Sequence, residues 1–223
     1  MMRKEQEQIE QFLLDHQLEG VVPEPLQAQA SILQLKKGDS VCVQGEIIVH
    51  LYLLVKGRIK IYKNSPQGRT LILCYKDPVE AIGDIEYIQK KPVINTVEAV
   101  SDGAMLLFPY AALDAHGRES AVWMRFLLEV VTKKFYIDTD VSSFQLLHPV
   151  EARLARYLLA ATEEKVKTKE LADVLGTSYR HLNRVIKKLE QKQLICRERG
   201  MIQIYNQQRL QQLVEELEGE GSK

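Results

Sequence analysis

Residues 166–191, VKTKELADVLGTSYRHLNRVIKKLEQ, decide the reading of this chain. Leu171, Ala172, Val174 and Leu175 recur at helical spacing, and Gly176 stands where a left-handed residue would end that helix. Thr177 or Ser178 can then cap a second helix through its hydroxyl. In that helix Leu182, Val185, Ile186 and Leu189 fall inward. Tyr179, Arg180, Asn183, Arg184, Lys187 and Lys188 fall outward. The pattern predicts a helix-turn-helix, whose second helix lays its N-terminal side chains in a major groove. A plain helical hairpin with a solvated basic face has the same pattern.

Three neighbouring features favour DNA. LICRERGMIQIY (194–205) reads as a two-stranded wing turning at Arg197-Glu198-Arg199-Gly200, and a helix with Leu210, Leu213, Val214 and Leu217 follows. Between 148 and 210 there are thirteen Lys and Arg against seven Asp and Glu, a surplus of six in a chain of zero net charge. Such asymmetry sets a nucleic-acid-binding half beside a non-binding one. The candidate DNA contacts are Thr168, Thr177, Ser178, Tyr179, Arg180, His181, Asn183, Arg184, Lys187, Lys188 and Arg199. Arg180 and Arg184 are expected at base edges, assisted by Tyr179 and Asn183; Lys187, Lys188 and Arg199 are expected at phosphates.

Upstream the period changes. Residues 4–18 predict an amphipathic helix with Ile9, Phe12, Leu13 and Leu18 on one side, ended by Pro23 and Pro25. From 30 to 110, short apolar runs alternate with turns at Gly38, Gly45, Gly57, Gly68, Gly83 and Gly103, which predicts an antiparallel barrel or sandwich. Residues 119–147 predict one long helix with more apolar positions than one barrel can cover. It can pack on its own barrel or form a two-helix seam; both faces are expected to be used, with Val130 and Ile137 first in the seam and Phe126 and Val141 beside them. His148-Pro149 breaks the pattern, because the residue before proline is pushed out of the α region. A helix from Val150 to Ala161 opens the next domain.

The composition excludes other classes. No run of eighteen apolar residues exists, and the charged start MMRKEQEQIEQFLLDH lacks an apolar signal core, so a cytoplasmic protein is expected. Cys42, Cys74 and Cys196 are scattered without CxxC spacing, which predicts buried thiols rather than a disulfide framework or metal site. No catalytic residue, metal or cofactor is expected. A cupin-type metal enzyme is the rival reading of such a barrel, and it needs clustered His and Glu ligands. Of the five histidines only His50 lies in the barrel; His16, His116, His148 and His181 lie outside it.

The order of barrel, long helix, hinge and winged helix resembles the catabolite activator protein/FNR (Crp/Fnr) family of bacterial transcription regulators. Lys37-Gly38-Asp39, Gly45-Glu46, Leu53-Leu54-Val55-Lys56-Gly57, Gly68, Ile82-Gly83-Asp84 and Gly176-Thr177-Ser178-Tyr179-Arg180 with Arg184 carry the likeness over nearly the whole chain. The resemblance implies an α+β protein with four parts: an N-terminal helix (1–25), a cupin-like β-roll effector domain (26–115), a dimerisation helix and hinge (116–148), and a winged helix-turn-helix (149–223). It implies a homodimer on double-stranded DNA, working with RNA polymerase and away from membranes. Members that bind cyclic AMP use a helix beginning Gly-Glu and then an Arg-Ser pair. Gly83-Asp84 keeps the first part, whereas Pro92-Val93-Ile94-Asn95-Thr96 lacks the second, and a cyclic phosphate needs a cation and amide donors. The expected effector is therefore a different small molecule or cue, with a cyclic-nucleotide-responsive member as the alternative. The expected pocket between barrel and long helix is lined by Lys60, Tyr62, Arg69, Tyr75, Gly83, Asp84, Asp138 and Thr139. A nucleotide-binding module without DNA function would leave the winged helix unexplained.

Overall fold

A computed structural model describes residues 2–68, 70–160, 168–198 and 201–219. The chain forms two compact units, 1–135 and 136–223. The division falls inside the long helix rather than at its ends.

In the first unit, eight strands make two antiparallel four-stranded sheets. They are β1 (Ser31–Leu35), β2 (Ser40–Cys42), β3 (His50–Lys56), β4 (Ile59–Asn64), β5 (Thr70–Lys76), β6 (Glu80–Ile82), β7 (Thr96–Ala99) and β8 (Gly103–Pro109). One sheet runs β1-β8-β3-β6 and the other β2-β7-β4-β5. The run LYLLV in β3 is apolar at every position because both faces of its sheet are covered. Leu51, Leu53 and Val55, with Ala104, Leu106 and Phe108 of β8, face a core shared with helices. Tyr52, Leu54 and Met105 face the second sheet, where they meet Ile59, Val97 and Ala99. Alternation along a strand separates the two sets.

Helices close the outer side of the first sheet. They are α1 (Met2–Asp15), α2 (Glu24–Gln27), α4 (Tyr110–Ala112), a π-helical turn at Leu113–Gly117, and the start of α5 (Ala121–Leu147). Ile9 and Leu13 of α1, Leu26 of α2 and Trp123 of α5 are buried there, and the Trp123 ring lies 5.5 Å from Phe108. The prolines do not end α1. It stops at Asp15, where Gln17 turns left-handed at φ 57°. The amide of Leu18 then donates to Leu13 O at 2.8 Å and that of Gln17 to Leu14 O at 3.0 Å. These two bonds recapture carbonyls that a helix end leaves open. Pro23 instead caps α2.

The expected seam is corrected at two of its four residues. Val130 and Phe126 pack on the helix-covered core of their own unit. With Trp123, Leu127 and Lys134 they form the inward face of α5, whereas Ile137 and Val141 stand 40% and 39% exposed. Leu128, Val131 and Phe135 stand 62%, 37% and 74% exposed.

The second unit holds the rest of α5, then α6 (Val150–Ala160), α7 (Thr168–Val174), α8 (Tyr179–Gln191), β9 (Ile195–Glu198), β10 (Met201–Ile204) and α9 (Gln207–Gly219). Its core joins Leu154 and Ala155 of α6, Leu171 of α7, Leu182, Ile186 and Leu189 of α8, and Leu210 of α9. β9 and β10 pair antiparallel, Ile195 opposite Ile204, as the wing. Among the described residues no helix is long and apolar enough to cross a membrane.

Candidate nucleic-acid interface and effector site

The turn between α7 and α8 is built by backbone bonds. Gly176 has φ 60°. Its amide donates to Asp173 O at 3.3 Å, and the Thr177 amide donates to Ala172 O at 2.9 Å. Ser178, not Thr177, caps α8: its hydroxyl oxygen accepts from the His181 amide at 3.1 Å. Leu182, Val185, Ile186 and Leu189 are all buried, so the opposite face of α8 points to solvent. Tyr179, Arg180, Arg184, Lys187 and Lys188 are exposed on it, while His181 and Asn183 are half-buried.

The outward residues are not equivalent. Among the described residues, Arg180 and Lys187 have no side-chain partner. The Arg184 guanidinium meets His181 Nδ1 at 2.8 Å. Asn183 is engaged at both ends: its amide nitrogen donates to Tyr179 O at 2.9 Å, and its oxygen accepts from Arg197 of the wing at 2.8 Å. Arg197 Nε also lies 3.7 Å from Glu190. Lys188 and Lys192 both turn to Glu151 on α6, Lys192 at 2.9 Å. Burial alone would raise the Glu151 carboxyl, but the hydrogen bonds from these two lysines outweigh it and hold the pKa below its ordinary value. Lys188 is thus an interhelix tie whose side chain still stands 56% exposed. Thr168 begins α7; its side chain and all of Arg199 lie outside the described residues.

Other cations in the basic segment are structural. Arg153 donates to Leu175 O at 2.7 Å, holding the end of α7. Arg156 pairs with Asp140 at 2.8 Å and lies 4.2 Å from the Phe144 ring centroid. Arg197, Glu151 and Arg153 were not singled out from sequence. Lys188 and Lys192 at i, i+4 did mark one side of α8 as a place for a carboxylate, but nothing local named Glu151 as that carboxylate.

The residues expected to line one effector pocket fall in separate places. Lys60, Tyr62 and Tyr75 are on the outer face of the second sheet, because Ile59 and Ile61 take the inward positions of β4. Lys60 lies opposite both Tyr75 and Glu98 in register and pairs with Glu98 at 2.8 Å. Asp138 and Thr139 are exposed on the part of α5 in the second unit. Arg69 is outside the described residues. Polarity alone selected the strand residues, and a one-residue shift along a strand reverses the face.

Gly83 and Asp84 stay together at the head of α3 (Asp84–Gln89). Gly83 has φ 87°, and a Cβ there would lie 2.7 Å from His50 O. Its carbonyl accepts from the Tyr110 hydroxyl at 2.7 Å. Tyr87 of α3 donates to Asp114 in the π-helical turn at 2.7 Å. Asp84 is buried beside Glu80 and Lys134, three charges not expected to meet. Where the phosphate-binding pair was sought, Val93 is buried between the sheets and Ile94 is exposed. His50 packs edge-on to Tyr52, with ring centroids 6.2 Å apart. The Cys42 thiol is pushed up to about 12, first by burial and then by the charge of Glu86, which leaves little nucleophilic thiolate. Among the described residues no three His, Cys, Asp or Glu side chains converge as a metal site would require.

Comparison with known proteins fits this division. The family model of the cyclic nucleotide-binding domain matches residues 32–117, and that of the Crp-like helix-turn-helix domain matches residues 152–213. Regulatory protein YeiL of Escherichia coli O157:H7 is 25% identical over 186 residues, covering 82% of this chain and 85% of its own. The CRP-like cAMP-activated global transcriptional regulator of Mycobacterium tuberculosis is 21% identical over 184 residues, 75% of this chain and 82% of its own. Among solved structures, the c-di-GMP responsive global regulator CLP of Xanthomonas campestris superposes with a TM-score of 0.73 at 21% identity, over 84% of this chain and 99% of that one. A crp/fnr-family transcriptional regulator from Eubacterium rectale gives 0.74 at 20% identity, over 91% and 97%.

Proposed function

As the chain belongs to the Crp/Fnr family of transcriptional regulators, we propose that it reads operator DNA as a homodimer under a cue at the β-roll other than cyclic AMP. The observation that carries the reading is the solvent face of α8, where Arg180 and Arg184 stand in the first two turns with no carboxylate against them. Arginine paired with guanine is the commonest base-specific contact. Residues 26–115 serve as effector domain and 149–223 as reader. The protein works in the cytoplasm beside RNA polymerase and catalyses nothing.

A second subunit is supported by Leu128, Val131 and Phe135, an exposed apolar stripe at three- and four-residue spacing on α5. The relatives respond to cAMP in one case and c-di-GMP in another by their names, so family membership leaves the cue open. Val93 and Ile94 offer a phosphate neither charge nor a hydroxyl, which argues against cyclic AMP. The test is selection of duplexes from a random pool by the purified chain, followed by fluorescence anisotropy on selected and scrambled DNA. Preference for the selected duplex by at least about a thousandfold is the specificity expected of such a reader. Equal affinity for both would refute it. Calorimetry showing micromolar cyclic AMP binding that also tightens the operator complex would refute the choice of cue.

A further inference from the structure

Four charged side chains meet inside the effector domain. Glu80 ends up 8% exposed and Asp84 7%. Lys134, from the inward face of α5, places its ammonium 2.9 Å from Glu80 Oε1 and 3.1 Å from Asp84 Oδ2, and it donates to the carbonyl oxygen of Ala81. Lys76 stands 3.6 Å from the other Glu80 oxygen. The group is neutral: two cations, two carboxylates. It lies where α3 begins, at the Gly83-Asp84 step.

An ammonium can donate three hydrogen bonds. Here three oxygens from two β-roll elements surround it, and all three are close enough to engage it. The Lys134–Glu80 contact is short enough for an ion pair yet poorly aligned for a hydrogen bond, since Glu80 Oε1 has no well-directed donor. Burial would lower the lysine pKa, but the charges of Asp84 and Glu80 outweigh it and push it up, so the ammonium stays charged at neutral pH. Every other inward residue of that part of α5 is apolar: Trp123, Phe126, Leu127 and Val130. A lone cation on an apolar stripe needs a reason, because a desolvated charge is costly unless fully paired.

We propose that the cage of Glu80, Ala81 O and Asp84 is an ammonium site whose resident ligand is Lys134 of the chain's own α5. The lysine is a positioning residue. It pins α5 to β6 and α3 in one register, the task that an added effector would otherwise perform. α5 continues past Phe135 into the second unit, so the lysine acts on the helix that the two units share. Both cations of this neutral group are already paired, so it offers an anionic nucleotide no free cation. The inference rests on the DNA-reading function and predicts a regulator that engages its operator without an added small molecule, so that the cue at the β-roll acts by releasing α5.

The experiment uses the full-length chain and a duplex selected as above, read by anisotropy. If wild type prefers no duplex, the DNA reading itself fails and the latch is moot for a separate reason. Given wild-type binding, adding ~1 mM cyclic AMP or cyclic GMP should change the affinity less than about twofold; a gain beyond about tenfold overturns the proposal. Lys134→Ala should weaken operator binding at least about tenfold. Propylammonium chloride at ~50 mM should restore most of it by refilling the cage, while equal sodium chloride should not. A loss that both salts change alike, or no loss at all, overturns the latch. Should Lys134→Ala not fold, the quadruple variant Lys76→Met, Glu80→Gln, Asp84→Asn, Lys134→Met removes all four charges together at nearly constant volume. Folded and at wild-type operator affinity, it overturns the proposal; folded and weakened at least about fivefold, it supports it.

Discussion

Arg180 separates reading a base from holding a phosphate. It is exposed in the first turn of α8, so Arg180→Ala should cost about 1–3 kcal/mol on the selected duplex and much less on scrambled DNA. Lys187→Ala should weaken both alike and lower the salt slope by about one. Anisotropy across a salt series distinguishes the two, and equal losses for Arg180→Ala would make it a phosphate contact. Asn183 is constrained differently, because Tyr179 O and Arg197 already satisfy its carboxamide. Glu151 makes a pH prediction. Its folded pKa is depressed by Lys188 and Lys192 against the opposing effect of burial. The stability it contributes is therefore complete above its unfolded pKa and is lost as pH falls through the folded value. Glu151→Gln should lower the melting temperature of the second unit at pH 7, and the gap to wild type should close in acid, by calorimetry. A gap that stays constant from pH 7 down to about pH 3 would show that the ion pairs contribute nothing there.

Helix ends give the next prediction. α8 stops as α1 does, with the Leu194 amide reaching Leu189 O at 3.0 Å and the Gln193 amide reaching Glu190 O at 2.9 Å. The left-handed residue is Gln193, at φ 56°, where glycine would carry no Cβ strain. Gln193→Gly should raise stability by about 0.5–1 kcal/mol in urea unfolding; a loss would mean that unfolded-chain entropy wins. These ends also show what a single sequence discloses. Gly176 announced its turn because its type matches its conformation. Gln17 and Gln193 give no such sign, so the expected helix runs to residue 18, past its end at Asp15. The apolar period of α8 located its buried and solvent faces residue by residue. Lys60, Tyr62 and Tyr75 take the outer sheet face, which a single sequence does not show because polar strand positions do not disclose which face they take until neighbouring strands are paired. Lys134 was visible as a cation on an apolar stripe, but its carboxylates lie about fifty positions away in sequence, beyond the reach of any periodicity.

At the scale of the molecule, the exposed stripe on α5 sets the subunit prediction. Phe135 is 74% exposed, and Leu128 and Val131 are beside it at helical spacing. Phe135→Glu should yield folded monomers with sharply reduced operator affinity, since two half-sites can then no longer be engaged together. Each subunit carries the change, so its cost is counted twice across a two-fold seam. Sedimentation velocity decides it: a wild-type monomer at tens of micromolar refutes the dimer, and a dimeric Phe135→Glu moves the seam elsewhere. The sheet of β3 and β8 has a further consequence. Both of its faces are roofed by side chains, and β3 lies between β8 and β6, so its amides have no wet side from which to open locally. In heavy water the amide protons of Leu51 to Val55 should be the last in the first unit to be replaced by deuterium, at rates set by opening of the entire unit. That strand is a built-in clock. Its exchange rate reads the global stability of the first unit.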